Sequence, residues 1–271
     1  MIKRLFSGVL LAVLALQASA FHTDTISVET KYLDSPLDVT VIVPEAAVTN
    51  PSLRFPTVYL LNGYSGDHRA WGACQPRLGE LADTYGMVMV MPDGRDSWYW
   101  NSTIDPGMQM ESFFVCDLVP YIDGHYPTVK DRTKRAITGL SMGGQGAFWL
   151  AAHHPDIWGN IGSTSGGVDI LPFKEKWKMA KRIGKYEDNP SLWKKHSVAS
   201  LVPEIAAGRF NIIFDCGTDD FFAGVNQKLH ESLLKAGVKH DYISRPGNHS
   251  QAYWRNAILH HLLFFNEAFN R

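Results

Sequence analysis

Short unbroken apolar runs alternate along this chain with longer stretches of helical character. Thr57-Val-Tyr-Leu-Leu61 and Met87-Val-Met-Val-Met91 are runs of the kind found in strands buried on both faces. Further strands are predicted at Lys134–Thr138, Trp158–Ser165, Phe210–Cys216 and Lys239–Arg245. Near the N-terminus the pattern differs. Ile26–Leu33 alternates apolar and polar residues, and Leu37–Val43 does so more strongly before stopping at Pro44, which predicts an antiparallel pair at the start of a sheet. Between the strands, Trp71–Tyr85, Met110–Tyr121, Gln145–His154, Phe222–Ala236 and Tyr253–Phe269 read as helices. This alternation predicts an α/β fold, a mostly parallel sheet with helices on both faces. Ligands of such sheets bind at the carboxyl ends of the strands, so the loops after Leu61, Met91, Gly139, Ser165, Cys216 and Arg245 are expected to converge on one site.

One segment breaks the alternation. From about residue 171 to 207, Lys174, Lys176, Lys178, Lys181, Arg182 and Lys185 crowd around Trp177, and Lys194 and Lys195 adjoin Trp193. This reads as a small helical cap inserted into a single domain spanning residues 21–271, since no repeat, low-complexity tract or inter-domain linker interrupts the chain. The 271 residues are 45% hydrophobic and 20% charged with a formal net charge of -1, an ordinary globular balance that points to no nucleic-acid partner.

Residues 1–20 carry a different signal. Lys3 and Arg4 precede the apolar run Leu5–Leu16, and Ala18-Ser19-Ala20 is a cleavage site of the A-x-A type. This predicts a secretory signal peptide and a periplasmic or secreted mature chain beginning at Phe21. The apolar run is short for a membrane span, so no stable membrane insertion is expected. The three cysteines, Cys74, Cys116 and Cys216, are an odd number for an exported protein. They read mainly as small buried apolar residues; a Cys74–Cys116 disulfide is open on spacing alone. No C-x-x-C or zinc-type spacing is present, so neither metal nor cofactor is expected.

The chemistry is concentrated at Gly139-Leu-Ser-Met-Gly-Gly144, a G-x-S-x-G sequence with a strand before it and a helix after it. A serine on a sharp strand-to-helix turn is the nucleophile elbow of acyl-transferring enzymes. Glycines are needed because the turn strains the serine backbone and a Cβ on either flank would clash. Ser141 then requires a base, and the base requires a carboxylate. Among the histidines that follow, only His249 lies in a Gly-containing loop after a late strand, Pro246-Gly-Asn-His-Ser250. His153 and His154 fall at a helix end, and His260 and His261 within the last helix. Asp219 and Asp220 follow the preceding strand, one expected to face the site and the other to cap the next helix; pattern alone does not separate them. Asp215, inside the strand, is the weaker candidate. The oxyanion donors are expected at the backbone of Met142 and in the Asn62-Gly63-Tyr64 loop, with Tyr64 donating.

Leu60-Leu-Asn-Gly-Tyr-Ser-Gly-Asp-His-Arg-Ala-Trp71, Gly139–Gly144, Gly217-Thr-Asp-Asp220 and Gly247-Asn-His249 together resemble the esterase D family of α/β-hydrolases, which includes S-formylglutathione hydrolases, feruloyl and acetyl esterases and mycolyltransferases. The resemblance covers nearly all of the mature chain. It implies an α/β-hydrolase fold, a Ser141–Asp220–His249 triad and oxyanion donors at Tyr64 and Met142. Asn62 departs from the family's frequent His-Gly pair, a change of side chain that leaves the N–H donors in place. Export disfavours a cytoplasmic S-formylglutathione substrate, so acetyl or feruloyl esters of plant polysaccharide are the expected substrates. Trp98, Tyr99 and Trp100 are candidates to stack on a sugar or an aromatic acyl group, with loop packing as the alternative. Trp98, Trp100 and Trp177 are the substrate-binding candidates, and the Lys- and Trp-rich segment Phe173–His196 around Trp177 is a candidate cap that could contact uronic acids or be a solvated face. The competing readings are a mycolyltransferase-type acyltransferase and a non-catalytic carbohydrate-binding relative.

Overall fold

The computed structural model describes residues 21–271; the segment read as a signal peptide lies outside the described residues. Eight strands form one sheet in the order β1-β2-β4-β3-β5-β6-β7-β8. They span β1 His22–Val28, β2 Leu37–Val43, β3 Thr57–Leu61, β4 Val88–Pro92, β5 Arg135–Gly139, β6 Asn160–Thr164, β7 Asn211–Gly217 and β8 Asp241–Arg245. β2 pairs antiparallel with both β1 and β4, and the remaining pairings are parallel. This is the mostly parallel sheet with an antiparallel start that the alternation predicts.

The helices are α1 Glu45–Thr49, α2 Ala70–Cys74, α3 Leu78–Tyr85, α4 Met110–Phe113, α5 Val119–His125, α6 Met142–His153, α7 Ala180–Ile183, α8 Pro190–Lys195, α9 Val202–Gly208, α10 Ala223–Lys235 and α11 Gln251–Phe269. Every residue of β3, β4, β5 and β6 is buried, which is why β3 and β4 read as unbroken apolar runs. Successive side chains alternate between two cores. Tyr59 and Leu61 join Val90, Ile137, Phe148 and Phe214 on one face. Val58 and Leu60 join Met89, Ala136, Ile258 and Leu262 on the other.

Three expected elements differ. The helix read over Trp71–Tyr85 is two helices, because Pro76 lacks an N–H and holds Gln75 out of helical geometry at φ -126°, ψ 89°. The first strand lies earlier than Ile26–Leu33, since His22 pairs with Val43 and Val28 with Leu37. The helix read over Met110–Tyr121 runs on to His125, with a π-helical turn at Phe114–Leu118 between α4 and α5. That helix carries Cys116 on its exposed face, contrary to the expected burial, and all three thiols are free, so Cys74 and Cys116 are not bridged.

The segment after β6 is helical as expected, with 3₁₀ turns at Leu171–Phe173 and Val198–Ser200 and helices α7, α8 and α9. Its basic run is not wholly a solvated face. Arg182 is buried, its guanidinium 2.6 Å from Asp96 Oδ1 and 2.7 Å from Asp105 Oδ2. The Arg182 carbonyl accepts from Ser102 Oγ and Thr103 N, so this arginine fastens the inserted segment to the aromatic loop after β4.

Candidate active site

Ser141 stands between β5 and α6 at φ 57°, ψ -117°, a left-handed conformation costly for a residue with a side chain. The turn persists because its surroundings over-determine it. Ser141 N donates to Thr164 O at 3.0 Å, and the Ser141 carbonyl accepts from Gly144, Gln145 and Gly167. The chain packs against the end of β3 so closely that a Cβ on Gly143 would lie 2.4 Å from Leu61 O. These contacts lift the Ser141 hydroxyl to the carboxyl edge of the sheet.

The loops after β7 and β8 meet it there. His249 Nε2 lies 3.0 Å from Ser141 Oγ, and His249 Nδ1 lies 2.9 Å from Asp220 Oδ2. Asp220 Oδ1 accepts from Phe222 N at 2.9 Å, a turn that aims the carboxylate at His249, and neither aspartate caps α10, whose N-cap is Phe222, contrary to the expected split of tasks. Asp219 is exposed, and its backbone N–H joins the two loops by donating to Gly247 O. The Asp220 side chain is 0% exposed and that of His249 18%, so the carboxylate is shielded while the ring reaches the cleft. A buried carboxylate on Nδ1 holds the proton there and leaves Nε2 free to accept from the serine hydroxyl.

The amides of Tyr64 and Met142 donate to no protein acceptor among the described residues, and Met142 opens the 12-residue helix α6. Two N–H groups and a helix N-terminus beside Ser141 favour negative charge. The loop bearing Tyr64 is held from beneath. Asn62 donates through Nδ2 to Gly63 O, its Oδ1 accepts from Gly94 N, and Tyr99 Oη lies 3.0 Å from Asn62 O. Trp71 Nε1 donates to Leu61 O at 2.8 Å.

The cleft above Ser141 has a volume of about 490 Å³, and its walls include Tyr64, Trp177, Phe221 and Trp254. Phe221 is 51% exposed, with its ring centroid 4.3 Å from that of His249 and 5.8 Å from that of Trp177. Trp254 meets His249 edge-on at 4.8 Å. Trp177 and Lys178 are successive left-handed non-glycine residues, a strain of about 1–2 kcal/mol each in a segment that holds Trp177 at the cleft wall.

The stacking candidates on the loop after β4 are placed differently, and Tyr99 among them is buried with its hydroxyl on the Asn62 carbonyl. Trp98 and Trp100 are 1% and 0% exposed and stack on each other at 5.5 Å, so neither ring is open to a substrate. Trp98 instead backs Trp177, 6.0 Å away, and Trp100 packs on His196. Among the described residues no lysine lines the cleft, so its walls offer no basic contact to an acidic sugar. Cys74, by contrast, does line the cleft; burial pushes its thiol up to about 11, which keeps it protonated. No group of three potential metal ligands occurs among the described residues. Phe221 and Trp254 were not singled out in the sequence. Their signal lies in position, one directly after Asp220 and the other five residues after His249.

Comparisons with known proteins show the family of the chain. A family model described as a putative esterase matches residues 30–265. The acetyl esterase of Caldicellulosiruptor saccharolyticus is 25% identical over 74% of this chain and 80% of its own length. The diacylglycerol acyltransferase/mycolyltransferase Ag85B of Mycolicibacterium smegmatis is 26% identical over 73% of this chain and 72% of its own. A solved ferulic acid esterase superposes with a TM-score of 0.80 at 25% identity, covering 92% of this chain and 99% of that one.

Proposed function

The chain belongs to the esterase family and has the α/β-hydrolase fold, and from that premise we propose that it is an exported serine carboxylesterase acting through Ser141, His249 and Asp220. One observation carries the reading: a strained, accessible serine hydroxyl 3.0 Å from a histidine whose far nitrogen is 2.9 Å from a buried carboxylate. His249 takes the Ser141 proton as Oγ attacks the ester carbonyl. Charge on the carbonyl oxygen is met by the Tyr64 and Met142 amides at the N-terminus of α6. One such donor is worth about 10²–10³ in turnover. Collapse expels the alcohol, protonated by His249, and water then cleaves the acyl-enzyme by the same steps in reverse.

The substrates we favour are acetyl or feruloyl esters of plant polysaccharide. The uncharged aromatic walls formed by Tyr64, Trp177, Phe221 and Trp254 suit a small or planar acyl group. Export rests on the sequence of residues 1–20 and is checked by N-terminal sequencing of the mature protein. A second reading, transfer of the acyl group to a sugar hydroxyl, is favoured by the likeness to a mycolyltransferase.

The test is a hydrolysis panel of p-nitrophenyl acetate to octanoate, methyl ferulate, acetylated xylan and S-formylglutathione, run with and without a sugar acceptor, together with fluorophosphonate labelling. We expect a single adduct on Ser141 and hydrolysis of the acetyl or feruloyl substrates. Acyl transfer to the sugar exceeding hydrolysis would select the transferase. An absent adduct would remove the catalytic reading and leave a carbohydrate-binding relative.

A further inference from the structure

Beneath the cleft lies a second chain of hydroxyl, imidazole and carboxylate that takes no part in the reaction just described. Thr138 Oγ1 is 2.8 Å from His261 Nδ1, and His261 Nε2 is 2.7 Å from Asp215 Oδ2. Asp215 Oδ1 accepts from Thr164 Oγ1 at 2.8 Å. All four residues are buried, with Asp215 1% exposed and the other three 0%. β6 crosses the chain so closely that a Cβ on Gly162 would lie 2.5 Å from Thr138 Oγ1 and 2.9 Å from His261 Nδ1.

Such an arrangement is expensive. A carboxyl–imidazole pair wholly removed from water is a weak source of stability, and an apolar cluster of the same volume would serve stability as well or better. Its members, however, lie on the elements that carry the triad. Thr138 is on β5, three residues before Ser141; Asp215 is on β7, five residues before Asp220; His261 is on α11, which begins two residues after His249. Thr164 closes the circuit, for its carbonyl accepts the Ser141 amide at 3.0 Å while its hydroxyl holds Asp215.

We propose that the buried Thr138–His261–Asp215–Thr164 chain is a positioning device that sets β5, β7 and α11 in register so that Ser141, Asp220 and His249 meet at reacting distance. The proposal rests on the catalytic reading of those three residues. Hydrogen bonds are directional and short in reach, so the chain tolerates one relative placement of the elements, whereas apolar contacts would tolerate several. A displacement of about 1 Å at a reacting pair costs on the order of 10²-fold in rate.

The experiment measures kcat and KM on p-nitrophenyl acetate and the rate of fluorophosphonate adduct formation at Ser141, for Thr138→Val, Thr138→Ser, Asp215→Asn and His261→Gln. Circular dichroism and urea unfolding identify the temperature range in which each variant is fully folded. Positioning requires kcat and the labelling rate to fall together by about 10-fold or more with KM within about 3-fold, and requires Thr138→Ser, which keeps the hydroxyl, to stay within about 2-fold of the native protein. Folded variants with native kcat and native labelling rates would overturn the proposal and leave the chain a purely structural feature. Thr138→Val keeps the test decisive if the charged-site variants do not fold. A native protein that itself fails to label would overturn the catalytic reading beneath the proposal, an outcome distinct from a loss confined to the variants.

Discussion

The molecule contains the same three chemical groups twice, once at the cleft and once in the core. In the cleft, Ser141 Oγ, His249 and Asp220 are linked at 3.0 and 2.9 Å; in the core, Thr138 Oγ1, His261 and Asp215 are linked at 2.8 and 2.7 Å. The buried set is the tighter of the two and has no route to a substrate. Thr138 sits within β5, where strand pairing continues through Gly139, and its hydroxyl faces a sealed interface. Ser141 sits two residues beyond that strand on a strained turn, beside two unpaired amides and an open cleft. On the proposed catalytic reading, reactivity would therefore follow from backbone strain, access and nearby donors rather than from the hydroxyl–imidazole–carboxylate grouping.

The largest effect that separates the two sets is on turnover. Asp220→Asn removes the charge that holds the His249 proton on Nδ1, and by analogy with other triads it lowers kcat by about 10⁴-fold. Asp219→Asn, on an exposed side chain, leaves kcat within about 3-fold. Steady-state kinetics on p-nitrophenyl acetate decides this, and the reverse ranking would mean that Asp220 does not orient the base.

Stability runs in the opposite sense. Asp215→Ala strands His261 and Thr164 without their acceptor and is expected to lower unfolding free energy by about 2–4 kcal/mol. Ser141→Gly releases a left-handed residue from strain and is expected to raise it by about 1 kcal/mol while abolishing hydrolysis. Urea unfolding of both variants reads the contrast; equal destabilisation would mean that the cleft residue is as much a part of the core as the buried one.

How far these two sets can be read in the sequence differs as well. β2 and β3 appear at their observed bounds because a completed apolar pattern ends at Pro44 in one and at Asn62-Gly63 in the other. Ser141 and His249 are legible because each lies in a Gly-containing loop at the end of a strand, a context that few other uses of serine or histidine share. Asp220 needed the family resemblance, since adjacent aspartates look alike until the turn that aims one of them is known. Trp98 and Trp100 mislead because an aromatic loop has the same composition whether it forms the wall of a cleft or the packing behind that wall. His261 looks like an ordinary helical histidine. Its one visible clue is its partner, a carboxylate inside the apolar strand Asn211-Ile-Ile-Phe-Asp-Cys-Gly217, which a buried strand retains only with donors to satisfy it.

A smaller effect concerns specificity within the cleft set. Phe221 overhangs His249 and faces Trp177, so its loss opens the wall against which a planar acyl group would lie. Phe221→Ala is expected to lower the ratio of kcat/KM for methyl ferulate over p-nitrophenyl acetate by about 10-fold. An unchanged ratio would move aromatic selectivity away from this wall.

The smallest effect extends the contrast between access and composition to the thiols. Cys74 touches the cleft yet is 1% exposed, and burial pushes its thiol up to about 11. At pH 8 about one such thiol in 1,000 is ionised, and only the thiolate attacks an alkylating reagent. Burial also raises the Cys216 thiol, with the neighbouring carboxylates of Asp220 and Asp215 acting in the same direction. Cys116 lies exposed on its helix. Iodoacetamide at pH 8 is therefore expected to modify Cys116 alone in the native protein and all three cysteines in urea, with no loss of ester hydrolysis after the native reaction. Native modification of Cys74, read by peptide mass mapping, would mean that the cleft wall opens to solvent there and that contact with the cleft, rather than burial, decides which thiol reacts.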